Sequence, residues 1–163
     1  MSLLSNNTAV QVPSSVLVPA GQASATFNIA TSSVPTLLAS TIRALLGTCS
    51  GIGVDLNVQA PVLSGLSVAP SSVRLLGNAT GTVTSNGPAP AGGLVVSLNG
   101  NSTLGSLLLN LPASVTIPAG QNSATFTIRP TLSLGSLLTG IVNSTITATN
   151  GGVSVNSPLT ILP

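Results

Sequence analysis

Residues 10–29 read VQVPSSVLVPAGQASATFNI and residues 109–128 read LNLPASVTIPAGQNSATFTI, identical at 12 of 20 positions at an offset of 99. The likeness continues with gaps. STIRA from Ser40 matches STITA from Ser144, GVDLNV from Gly53 matches GVSVNS from Gly152, and Gln59-Ala60-Pro61 falls where Ile161-Leu162-Pro163 falls. A unit of about 100 residues is too long for a solenoid repeat and has the size of a tandem β-sandwich domain. The 163 residues therefore divide into a partial unit over 1–60, the C-terminal half of a repeat, and a complete unit over 61–163.

The local pattern is that of strands. Ala124, Phe126 and Ile128 alternate with Ser123, Thr125 and Thr127, as Ala25, Phe27 and Ile29 alternate with Ser24, Thr26 and Asn28. Period two with one dry face is a half-buried strand. Turn clusters at Pro118-Ala119-Gly120, Asn150-Gly151-Gly152 and residues 87–93 punctuate the runs. The second unit is predicted to hold strands at 66–68 with 73–75, 79–85, 94–98, 107–111, 115–117, 123–128, 144–149 and 152–161. Asn150-Gly151 is the expected centre of a type I′ hairpin, whose two central residues need positive φ. No segment has helical period and caps, so the fold class is all-β. Phe27 and Phe126 hold the same place in the repeat and are expected to be equivalent core residues.

The succession LSVAPSSV, ATGTVTSNGPAPAGGLVVSL, LPASVTIPAGQNSATFTI and STITATNGGVSV resembles bacterial immunoglobulin-like (Big-type) tandem β-sandwich repeats of large secreted and cell-surface proteins. The resemblance covers residues 61–163 well and 10–61 as a partial copy. It implies a tandem immunoglobulin-like sandwich placed outside the cell, in a family whose modules serve as spacers, stalks, adhesin segments and filament subunits. A shared fold does not choose among these roles.

The first copy lacks an equivalent of residues 65–96. Its inward-parity residues Val16, Val18, Ala25, Phe27, Ile29, Ile42, Ala44, Val54 and Leu56 make half of a sandwich core. An open half-sandwich exposes an apolar face and free strand edges. The expectation is that a neighbouring chain, or another part of a longer protein, completes it by adding strands; a compact half-domain leaning on the second unit is the third option.

Composition then restricts the chemistry. Charged residues are 2% of the chain and aromatics 1%, with no His, Trp or Tyr. Apart from Cys49, the ionisable side chains are Arg43, Arg74, Arg129 and Asp55. No acid/base pair, activated nucleophile or carboxylate cluster can be assembled from these, so the chain is not expected to be an enzyme, and no cofactor or metal site is expected. A net charge of +2 is too small for multiple phosphate contacts, which argues against nucleic acid. The longest apolar runs, 37–46 and 107–111, fall short of the ~20 residues of a spanning helix. An apolar content of 43% argues against disorder. Cys49 alone makes no internal disulfide; it reads as a small buried hydrophobe or an intermolecular bridge.

All four charges fall on the outward parity of their strands. With Leu46 opposite Ile52 in a hairpin, Arg43 would face Asp55 as a surface ion pair. Asn-x-Ser/Thr sequons stand at Asn6, Asn78, Asn101 and Asn143, candidates for glycosylation on a surface of Ser, Thr and Asn that carries almost no charge. The glycine stretches 47–53 and 92–93 lack a phosphate-loop lysine and read as turns. The functional expectation is a structural subunit or repeat segment of an extracellular filament, stalk or surface layer. It would assemble head to tail with copies of itself or adjacent repeats, through strand complementation and apolar packing. The alternative is a spacer, or a glycan- or protein-binding module, of a large cell-surface adhesin.

Overall fold

A computed structural model describes residues 1–47, 51–104, 107–132 and 140–163. Cys49 and the centre of the 47–53 turn lie outside the described residues. The fold is all-β, with no helix among the described residues. The chain divides into two compact units, Met1–Ala60 and Pro61–Pro163.

The first unit contains β1 (Ser2–Ser5), β2 (Val10–Gln11), β3 (Ala30–Thr31), β4 (Leu38–Leu45) and β5 (Ile52–Val58). One sheet has the order β1-β4-β5 and a second is the short ladder β2-β3, all antiparallel. Leu3, Ser40 and Ile42 share the buried face of the three-stranded sheet, with Val10 and Val34 completing a small core. Alternation places Ile52 and Val54 on that same face, yet they are 79% and 67% exposed. The face is thus covered over β1 and β4 and open over the first half of β5, at Ile52 and Val54, while Leu56 further along is partly buried.

The second unit contains β6 (Leu63–Ala69), β7 (Ser72–Arg74), β8 (Ala79–Ser85), β9 (Leu94–Ser102), β10 (Leu107–Asn110), β11 (Ser114–Ile117), β12 (Ser123–Leu132), β13 (Val142–Asn150) and β14 (Val153–Leu162). Each expected strand is present, several extended by a few residues. They form two sheets, β10-β12-β8-β6 and β11-β9-β13-β14-β7. Apolar residues from both sheets, among them Leu63, Val83, Phe126 and Ile128 from one and Val96, Ile117, Ile146, Leu159 and Ile161 from the other, make one buried core. This is a β-sandwich: two layers, each dry on one side. β6 and β7 are nearly continuous in sequence but belong to different sheets, β7 running parallel to β14.

The β13-β14 hairpin pairs Asn150 with Val153, so its two central residues are Gly151 and Gly152, at φ +55° and +84°. The turn is one residue further along than the sequence suggests. Two consecutive glycines adopt the left-handed pair more readily than Asn-Gly, which frees the Asn150 side chain to donate its Nδ2 hydrogen bond to the Val95 carbonyl at 2.8 Å.

Candidate functional site

The two units carry the same local architecture at matched positions. Val10 pairs with Thr31 and Gln11 with Ala30; 99 residues on, Leu109 pairs with Pro130 and Asn110 with Arg129. The Leu3 amide donates to Ser14 O at 3.0 Å, and the Leu98 amide to Ala113 O at 2.8 Å. The bridge Ser2↔Ser15 has its counterpart in Ser97↔Ser114. The Pro-Ala-Gly-Gln turns close alike, Gln22 N to Pro19 O at 3.0 Å and Gln121 N to Pro118 O at 2.9 Å, with Gly21 and Gly120 at φ +80° and +76°. Only glycine takes that dihedral without steric cost, and it fixes a type II turn.

Against this agreement one segment departs. Residues 123–128 are the first part of β12 and pair with β8, from Ser123↔Thr84 to Ile128↔Ala79. Residues 24–29 have nearly the same sequence, yet belong to no strand. A β-strand is defined by its partner, because a lone extended segment leaves its N–H and C=O groups to water. Among the described residues no strand lies alongside 24–29, so the ladder begins only at Ala30, where β2 provides one.

The aromatic pair follows this difference. Phe126 is 6% exposed and lies opposite Gly81, where a Cβ would run into its ring. Phe27 is partly buried and outside any strand, so the two rings, expected to be equivalent, sit in different surroundings: among the described residues no strand pairs with the segment that carries Phe27. Gly81 was not singled out in the sequence. Its signal is a lone glycine within the alternating run ATGTVTS, which marks close approach by another group.

The expected Arg43–Asp55 pair is also corrected. The ladder closes at Ala44↔Ile52, two residues earlier than supposed, so Asp55 lies opposite Thr41 and Arg43 opposite Gly53. The reason is at the loop. Gly51 packs so close to the Ala44 carbonyl that a Cβ there would collide with it, and Ile52 follows as the first residue of β5, opposite Ala44. The Thr41 hydroxyl donates to Asp55 Oδ1 at 2.7 Å, and the Arg43 side chain extends over Gly53. Arg43, Asp55, Arg74 and Arg129 are all exposed, in keeping with their outward parity.

The sequon residues Asn6, Asn78, Asn101 and Asn143 are exposed. Asn6 has a structural task that the sequence did not reveal. Its Oδ1 accepts from the buried Ser40 hydroxyl and from the Thr41 amide, both at 2.9 Å. In the second unit the matching serine, Ser144, is buried with its Oγ unsatisfied among the described residues. A shallow concavity of about 340 Å³ is lined by Asn78, Asn110, Leu111, Pro112, Thr127 and Arg129. Among the described residues no group of three His, Cys, Asp or Glu side chains gathers, and no helix is long and apolar enough to cross a membrane.

No family model matches the sequence, and no curated protein is similar to it. Among solved structures, the C-terminal domain of the AgI/II polypeptide BspA of Streptococcus agalactiae superposes with a TM-score of 0.35 at 11% identity, over 84% of this chain and 63% of that one. A second structure of the same BspA region gives 0.35 and 11%, over 83% and 62%. The chain thus spans less than two thirds of those structures. A likeness at that level identifies neither a family nor an activity.

Proposed function

We propose that the chain is a structural repeat segment of an extracellular filament, stalk or surface layer, joined to its neighbours by completion of open β-sheets and by apolar packing. The observation that carries this reading is the unfinished first unit. It repeats the second unit's registers at several points, while residues 24–29 pair with no strand among the described residues and the apolar face lies open at Ile52 and Val54 of β5. An open edge and an exposed apolar face are costly to leave in water and are managed in stable proteins by covering them. The near absence of charge agrees, since closely packed copies then meet no electrostatic repulsion. The immunoglobulin-like resemblance is supported by β6 and β7, which split the first part of the unit between two sheets.

The test is electron microscopy and light scattering of the purified chain across concentration. Ordered fibres or arrays with a repeat near one subunit length are expected. A monomer at every concentration would overturn the assembly reading. The rival, a binding module of a cell-surface adhesin, draws on the concavity around Asn78 and Arg129, which offers amide and guanidinium donors to a polar ligand. It lacks an aromatic platform of the kind that stacks on sugars, so glycan-array binding is expected to be negative. The exposed sequons are the places where glycans would attach.

A further inference from the structure

We infer that residues 24–29 are an acceptor edge for one antiparallel strand of defined pattern, Ala-x-Gly-x-Val, with the glycine seated against Phe27. This deepens the completion reading above and rests on it for the existence of a partner. The occupant is read from the second unit, which holds the same edge with its partner in place. There the inward residues of β12 and β8 face each other large against small: Ile128 opposite Ala79, Phe126 opposite Gly81, and Ala124 opposite Val83. The two strands fit because each bulky side chain meets a small one, and at Gly81 even a methyl group would collide with the Phe126 ring. The first unit carries the same three inward residues in the same order, Ala25, Phe27 and Ile29. An identical set of knobs requires the same set of spaces. The strand that fits must therefore offer a small residue to Ile29, a glycine to Phe27 and a residue of valine size to Ala25, running antiparallel.

The position of the edge is fixed independently. β3 pairs with β2 in the register that β12 keeps with β10, so residues 24–29 stand in sequence to the β2-β3 ladder as residues 123–128 stand to the β10-β12 ladder. β12 is flanked by β10 along one part and by β8 along the other, whereas residues 24–29 precede the β2-β3 ladder and pair with no strand among the described residues. A second folded copy is not the donor of this strand, because its β8 is already held between β6 and β12. The occupant is an extended segment of a neighbouring repeat that bears the pattern and is not paired in a sandwich of its own, whereas the assembly of purified copies tested above rests on the other open surface, the face over Ile52 and Val54.

The experiment uses the full chain and a synthetic peptide of residues 77–87, GNATGTVTSNG. Hydrogen–deuterium exchange is followed at 24–29 and at 123–128, with and without peptide. A peptide carrying Gly81→Val is the control. The expected result is exchange at least tenfold slower at 24–29 with the native peptide, no change with the control, and no change at 123–128. Register is read separately by disulfide trapping. The chain carries Cys49→Ser and Thr26→Cys, and the peptide carries Thr82→Cys, since Thr82 faces Thr125, the counterpart of Thr26. Trapping should be strongest for that pair and weak for peptides carrying Thr80→Cys or Thr84→Cys.

Absence of protection, equal protection by both peptides, or trapping without register preference would each overturn the inference. Protection of 24–29 in the chain alone would also overturn it, because a second copy would then be the occupant. The two levels separate cleanly. Fibres that leave 24–29 unprotected and peptide-insensitive retain the assembly reading and sink this one, whereas a permanent monomer that binds the native peptide in register does the reverse.

Discussion

Two pairs of matched residues differ in what they do, and each difference can be measured. Phe126 is enclosed between sheets and Phe27 is not, so Phe126→Ala should cost the second unit ~3–5 kcal/mol, as large aromatic truncations in packed cores do. Phe27→Ala should cost the free chain less, about 1–2 kcal/mol, because that ring is only partly buried and no strand pairs with its segment among the described residues. With no Trp or Tyr in the chain, calorimetry or circular dichroism is the appropriate readout. Comparable losses at both positions would contradict the open edge. Asn6 and Asn101 form the second pair. Asn6→Ala removes one partner of the buried Ser40 hydroxyl, which keeps the Ser5 hydroxyl, and the acceptor of the exposed Thr41 amide; an expected loss of ~0.5–1.5 kcal/mol follows from the lost hydrogen bonds. Asn101→Ala should stay within about 0.5 kcal/mol, the usual range for an exposed position without such a role. Its serine neighbour Ser144 already goes unsatisfied.

Among the elements, the β13-β14 hairpin gives a sharp contrast between adjacent glycines. Gly151→Asn is expected to be tolerated, since Asn-Gly suits the same left-handed pair. Gly152→Val, at φ +84°, should cost ~1–2 kcal/mol or more, because a β-branched side chain meets the following carbonyl in that region. Equal thermal midpoints for the two variants would show that the turn relaxes to another type. Much of this unit was readable from the sequence: alternating runs between Pro- and Gly-rich breaks located all nine strands. The limits were set by partners rather than by letters. Ser-Ala-Thr-Phe at 24–27 reads as strand as plainly as at 123–126, and becomes one only where β8 is present to receive its hydrogen bonds. The Arg43–Asp55 register failed for a related reason. Pairing depends on where the β4-β5 ladder closes, at Ala44 and Ile52, which alternation does not reveal, although the parity of the residues on β4 and β5 was right. The candidate edge was legible only by laying one copy over the other, and its glycine requirement only once Gly81 was seen beneath a ring.

For the whole molecule, the three arginines and one aspartate would leave the proposed assembly to apolar burial and backbone hydrogen bonding. Raising NaCl from low to molar concentration should leave self-association unchanged or strengthen it, because screening weakens charge contacts alone; sedimentation measures this, and dissociation by moderate salt would refute the interface proposed. Residues 61–163, which hold a closed core, are expected to melt cooperatively as a monomer when expressed alone, while residues 1–60 alone should aggregate or fail to melt cooperatively. The shared Pro-Ala-Gly-Gln turns have a consequence for inheritance. Both copies pass through this corner with the same hydrogen bond and nearly the same glycine dihedral, and both leave it along the same residues Ser-Ala-Thr-Phe. A genetic crossover between the two corners would splice one unit's incoming chain to the other's outgoing chain without shifting a ladder or turning a side chain to the wrong face. Such a gene could lengthen or shorten by whole repeats, and each product would encode strands already in register.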